Sequence, residues 1–203
     1  MSISAQDRER IATAIRAAEA KTSGEIVCVL TQSSSDATAL PIFVAAAVAL
    51  VLPWLLVAFT AMTVHRILSL QIVVFLALTA LLCLPRVRVA LMPRVARRAV
   101  AHRVAMEQFN SRGIARKKDR CGILIFVSLA ERYARIIADE GIAARVPQSE
   151  WQRAVDALVA HTRDGRIADG FITAINVCGS ELATHFPRTE ATRDELPDRI
   201  YLI

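Results

Sequence analysis

Two long apolar stretches break the chain's alternation of hydrophobic and polar positions. Leu40 to Met62 holds no charged residue, Ile67 to Pro85 holds none, and only Thr63-Val64-His65-Arg66 lies between them. A bilayer's hydrocarbon core takes about 20 apolar residues to cross as a helix, so each stretch predicts one span and the pair predicts a hairpin over 40–85. Phe43 to Met62 offers only Thr60 as a polar side chain, which leaves out the polar stripe by which a helix of a soluble domain meets water. Pro53 falls in mid-segment, where it removes one helical hydrogen bond and predicts a kink that membrane helices tolerate. About 40 mostly polar residues precede the first stretch, a position that does not suit a cleaved signal peptide. Neither stretch carries an ionisable residue at depth, so the hairpin reads as an anchor and not as an ion or proton path.

Outside the hairpin the periods are those of a mixed domain. Ser4-Ala5-Gln6-Asp7 is a helix start with an acidic third position, and Ile11, Ile15 and Ala18 share one face of a helix predicted over 5–21. Glu25 to Thr31 is a nearly continuous apolar, β-branched run, the pattern of a strand covered on both faces. Pro93 predicts the start of a helix that the series Ala96, Val100, Val104 carries toward Phe109, with Arg94, Arg97, Arg98 and Arg103 on the other side. Gly122 to Val127 is a second buried-type strand. A short link leads from it to Arg132–Ala138, where Tyr133, Arg135 and Ile137 face one way and Ala134, Ile136 and Ala138 the other; so short a link predicts an antiparallel pair. Ser149-Glu150-Trp151-Gln152 has the form of a capping box before a helix with Trp151, Val155, Leu158 and Val159 on its buried face. Arg166 to Phe186 predicts a longer helix through Phe171, Ala174, Ile175, Cys178 and Leu182, stopped by Pro187. The apolar end of the tail, through Ile203, predicts docking on the domain or on the membrane surface.

Charge refines this picture. The net charge of +6 is not spread evenly: residues 86–120 hold eleven Lys/Arg and two Asp/Glu, residues 121–203 hold nine and twelve, and residues 1–40 hold four and five. Arg86, Arg88, Arg94, Arg97, Arg98 and Arg103 follow the second stretch closely, as the positive-inside rule expects on the cytoplasmic side. A hairpin returns the chain to its starting side, so the cell membrane is the predicted location, with both termini and the soluble domain in the cytoplasm. A basic cluster beside a bilayer serves topology and anionic headgroups, which sets it apart from a nucleic-acid patch. Cys28, Cys83, Cys121 and Cys178 show no disulfide framework and no zinc spacing.

Ser23-Gly24-Glu25-Ile26-Val27, then Cys121 to Arg132 with its Ser128-Leu129-Ala130-Glu131-Arg132 turn, then Ile136 to Ile142, then the helix pair ending His185-Phe186-Pro187, in that order, resemble the TPM-domain family. The resemblance implies an α/β fold, a small mixed sheet flanked by helices, here interrupted by the two-helix transmembrane hairpin. The domain is then discontinuous: 1–39 gives the first helix and strand, 40–85 the hairpin, and 86–203 the basic juxtamembrane helix and the remainder. Among members that the resemblance brings in are acid phosphatases, calcium-binding proteins and accessory factors of membrane complexes. The usual member is a secreted or lumenal domain tethered at its end, and the cytoplasmic placement predicted here argues against a calcium role.

Asp139 and Glu140, followed by Gly141 at a strand end, are the candidate ligands for a hard cation, calcium or magnesium, with Asp119 and Asp169 as further oxygen donors. No phosphate-binding Gly-rich loop, His-Glu-x-x-His or Gly-x-Ser-x-Gly elbow is present. His65, in the loop between the spans, and His102, His161 and His185 read as surface or helix-end residues. Ser128 is a conceivable nucleophile with no base beside it in the sequence. Cys121 reads as an apolar strand residue. The chain is therefore read as a membrane-anchored, non-catalytic accessory or assembly factor for an unidentified membrane protein; the alternative is a phosphatase acting on phosphate esters, possibly metal-dependent.

Overall fold

The computed structural model describes residues 3–34, 39–60, 62–84, 87, 92–114, 121–188 and 196–203, the side chains of 39, 40 and 148 excepted. Arg86, Arg88 and Asp119 lie outside them. The chain divides into two compact units, residues 1–34 with 99–203, and residues 35–98.

The first unit is built on a four-stranded sheet. β1 (Glu25–Thr31) lies parallel to β2 (Gly122–Ser128), β2 pairs antiparallel with β3 (Tyr133–Ala138), and β4 (Ile200–Leu202) joins the free side of β1 in parallel, giving the order β3-β2-β1-β4. Every residue of β1 and β2 is buried, the burial that their unbroken apolar runs require. Ile26, Cys28, Leu30, Ile123, Ile125 and Val127 face one layer of helices: α1 (Ala5–Glu19), α6 (Gln148–Arg163) and α7 (Ile167–His185). Val27, Val29, Leu124 and Phe126 face the other way, against Ala105 and Phe109 of α4 (Arg94–Ser111) and against Ile114.

Local chemistry explains the element ends. The Ser4 hydroxyl accepts from the Asp7 amide at 3.0 Å and caps α1. Gly113 and Gly165 take φ of 77° and 78° after α4 and α6, a region that costs glycine little. Three expectations need correction. Phe109 is buried on α4 as expected, but the residues buried before it are Ala101 and Ala105, one position on from Val100 and Val104, because small alanines let the helix approach a sheet face already filled by Phe126. α6 begins at Gln148 with Pro147 at its cap and no side-chain cap bond, so Ser149 lies inside the first turn and the capping box does not form. His65 and Arg66 belong to the first turn of a helix and not to a loop. The tail docks on the domain, one of the two outcomes expected, and does so as a strand: the Ile203 amide donates to the Leu30 carbonyl at 3.1 Å, and the Arg112 guanidinium stacks over the Tyr201 ring at 3.6 Å.

The second unit contains α2 (Ala39–Phe59) and α3 (Val64–Leu82), packed on one another. α2 runs through Pro53 without interruption. Pro41–Phe59 and Val64–Leu82 are long and apolar enough to cross a membrane, with mean hydropathies of 2.7 and 1.9. Their large side chains point outward, Trp54 and Phe59 being 80% and 82% exposed.

Candidate functional site

Open α/β sheets place their sites beyond the carboxyl ends of parallel strands, and the ends of β1 and β2 meet at a polar cluster. After Ser128 the chain turns through residues 129–132 into β3, and Arg132 takes the left-handed region at φ 50°. The turn is tied to the segment leaving β1: the Leu129 amide donates to the Thr31 carbonyl at 3.1 Å and the Ala130 amide to the Gln32 carbonyl at 3.0 Å. This zipper points Glu131 inward, where it is buried. Its carboxylate accepts from the Ser128 hydroxyl, from the Ser33 hydroxyl at 3.1 Å and from the Ser34 amide at 3.0 Å. The Ser34 hydroxyl in turn donates to Ser128 Oγ at 3.0 Å. Hydrogen bonds of this kind offset the large cost of burying a carboxylate.

The chain of donors, Ser34 to Ser128 to Glu131, is the arrangement by which a carboxylate activates a hydroxyl. The carboxylate that the sequence did not place beside Ser128 is Glu131, three residues on and brought round by the turn. Its signal was the Ser-x-x-Glu spacing at the end of a buried strand. Ser128 is nevertheless only 1% exposed, and its oxygen is already occupied by Ser34.

Of the metal candidates, Asp139 and Glu140 lie at the opposite edge, where β2 begins. The Asp139 amide donates to the Gly122 carbonyl at 3.0 Å, and its carboxylate caps α5 (Glu140–Ala143) by accepting from the Glu140 amide at 2.7 Å. The expected tight turn is therefore a short helix, in which Gly141 does not use a positive φ. Asp139 is buried, and its Oδ2 has no hydrogen-bond partner among the described residues, a group that a cation would satisfy. Glu140 is exposed. Asp169 sits in the first turn of α7 and pairs with Arg10 at 2.7 Å. No group of three His, Cys, Asp or Glu side chains with metal-binding geometry occurs among the described residues.

A second acidic feature at that edge was not foreseen. Glu19, at the end of α1, is 6% exposed, and its Oε1 accepts from the Ile26 amide at 2.7 Å. Burial first, then a hydrogen bond to Asp198 and the nearby Glu25, raise its pKa to about 9. Burial likewise pushes the Cys28 and Cys178 thiols up, which makes them poor thiolates, and Cys121 is a buried member of the same core. His102 lies 3.4 Å from the Tyr133 hydroxyl, while His161 and His185 occupy the last turns of α6 and α7. On α4, Arg94, Arg98 and Arg103 are exposed and Arg97 is half-buried.

Residues 85–181, just under half of the chain, match the family described as TPM domain. That segment is similar to TPM domains. The matched segment holds β2, β3 and the helices around them, while β1, which completes the sheet between β2 and β4, comes from ahead of the apolar hairpin. The fold is similar to that of the BA42 protein from the psychrophilic bacterium Bizionia argentinensis, solved by NMR, with a TM-score of 0.63 and 21% identity over 100% of this chain and 96% of that one. No curated protein matches the chain.

Proposed function

We propose that this chain is a membrane-anchored TPM-domain protein acting as a non-catalytic accessory or assembly factor for another membrane protein. The observation that carries the choice against catalysis is the closed state of the Ser128–Glu131 pair: the hydroxyl is buried, its proton is committed to Glu131, and its oxygen is occupied by Ser34. The outward-facing apolar side chains of α2 and α3 support a hairpin anchor. The basic residues Arg86, Arg88, Arg94, Arg97, Arg98 and Arg103 support a cytoplasmic domain whose juxtamembrane face meets anionic headgroups, each charge contributing about 1 kcal/mol near such a surface.

The second reading is a phosphatase, favoured by one observation: a serine hydroxyl hydrogen-bonded to a carboxylate at the carboxyl end of a parallel strand. Full-length protein assayed on a generic phosphate ester, beside Ser128→Ala and Glu131→Gln, separates the two. The accessory reading expects no hydrolysis above that of the two variants, together with a membrane protein that co-purifies from mild detergent. Hydrolysis that Ser128→Ala abolishes while the fold is retained would establish the enzyme instead.

A further inference from the structure

α2 and α3 leave between them an open groove of about 510 Å³ whose walls include Ala46, Ala49, Leu50, Leu68, Gln71 and Phe75. Gln71 is the single polar side chain on those walls, and among the described residues its amide has no hydrogen-bond partner. It lies seven residues from the start of α3, about 10 Å along the axis at 1.5 Å per residue. If α3 spans a bilayer, that places the amide within hydrocarbon, where an unpartnered polar group is costly.

We propose that this groove is a self-association surface, in which a second copy of the chain docks so that the two Gln71 amides hydrogen-bond each other. The inference rests on the anchor reading above. Two copies inserted with the same topology relate by a two-fold axis along the membrane normal, so their Gln71 residues fall at one depth without further adjustment. An amide carries both donor and acceptor and is therefore complementary to its own image. Ala46 and Ala49 on the facing wall are small enough for helix backbones to approach closely, as membrane helix pairs require. A lipid chain would fill the groove but leave the amide unsatisfied.

The test uses the full chain, labelled with donor and acceptor fluorophores and reconstituted in phosphatidylcholine vesicles over a range of protein-to-lipid ratios. Energy transfer is expected to fall on dilution as a dimer dissociates. Gln71→Leu is expected to weaken association by about 3- to 30-fold, the range that one interhelical side-chain hydrogen bond gives, and Ala49→Leu to weaken it by closing the groove. Trp54→Leu, on an exposed face of α2, should leave it unchanged. A wild-type chain that stays monomeric at every ratio overturns the inference. So does a Gln71→Leu variant that associates as tightly as wild type, or a Trp54→Leu loss equal to that of Gln71→Leu. Alkaline extraction of the same membranes separates the two readings: retention without association sinks the dimer alone, while release from the membrane sinks the anchor beneath it.

Discussion

Replacing Glu19 by glutamine should remove a pH-dependent weakness from the domain. Its pKa stands at about 9 in the folded chain against an ordinary 4.5, because burial and the neighbouring Asp198 and Glu25 disfavour its charged form. The native state therefore keeps a proton that the unfolded chain releases. The resulting stability is complete below about pH 4.5 and is lost progressively as pH rises toward 9. Each pH unit inside that window costs about 1.4 kcal/mol for an isolated group. Between pH 5 and pH 8 that makes about 4 kcal/mol, and on the order of 2–4 kcal/mol when the proton is shared with Asp198. Glutamine keeps an oxygen for the Ile26 amide and never ionises. Glu19→Gln is thus expected to match wild type closely at pH 5 and to exceed it by roughly 1–3 kcal/mol at pH 8. Trp151 is 2% exposed in the core beside α7 and is one of two tryptophans, so in a Trp54→Phe background its emission reports unfolding of this unit alone. Urea titrations of the two proteins in detergent at pH 5, 6.5 and 8 give the slopes. A wild-type stability that changes with pH no more than that of Glu19→Gln would refute the reasoning.

Four further outcomes are expected. A phosphatase-type topology reporter fused after Ile203 should be inactive, since the basic run after α3 predicts a cytoplasmic C-terminus; an active fusion would place the domain on the other side. Deleting residues 40–92 and joining the ends with a Gly/Ser linker should leave a soluble, folded domain, because β1 and β2 pair along their full length, and the near-ultraviolet circular dichroism of the product decides. Gly179→Ala would place a methyl 2.7 Å from the Ala18 side chain, so α1 and α7 must separate and about 1–3 kcal/mol of stability is expected to be lost, read by the same urea titration. If calcium or magnesium binds, a concentration 100-fold above its Kd should add about 2.7 kcal/mol, and Asp139→Asn with Glu140→Gln should abolish the gain; a shift that survives both substitutions puts the ion elsewhere.

The elements that the sequence determined are those in which one face, or both, had to be apolar. β1 and β2 were legible because strands buried on both faces admit no polar position, and β3 because alternation marks the two sides of a sheet. The apolar stretches of α2 and α3 were legible by length alone. Hydrophobic pattern is a local property, and it fails where a contact distant in sequence decides the outcome. The three residues of β4 carry too little pattern to announce a strand; they become one because the edge of β1 offers unpaired backbone groups and Arg112 offers a cation to Tyr201. α4 turned Ala101 and Ala105 inward and left Val100 and Val104 half-buried because Phe126 and Ile114 had already filled the space. The polar sites follow the same division. The sequence singled out Asp139 and Glu140 by adjacency, yet the structure made one a buried cap and left the other in solvent. It also gathered Glu131 with Ser33, Ser34 and Ser128, the first serines from ahead of the hairpin and the last from beyond it. Only closing the sheet between β1 and β2 brings those four together, since the burial that encloses a carboxylate comes from neighbours nearly a hundred residues away in the chain.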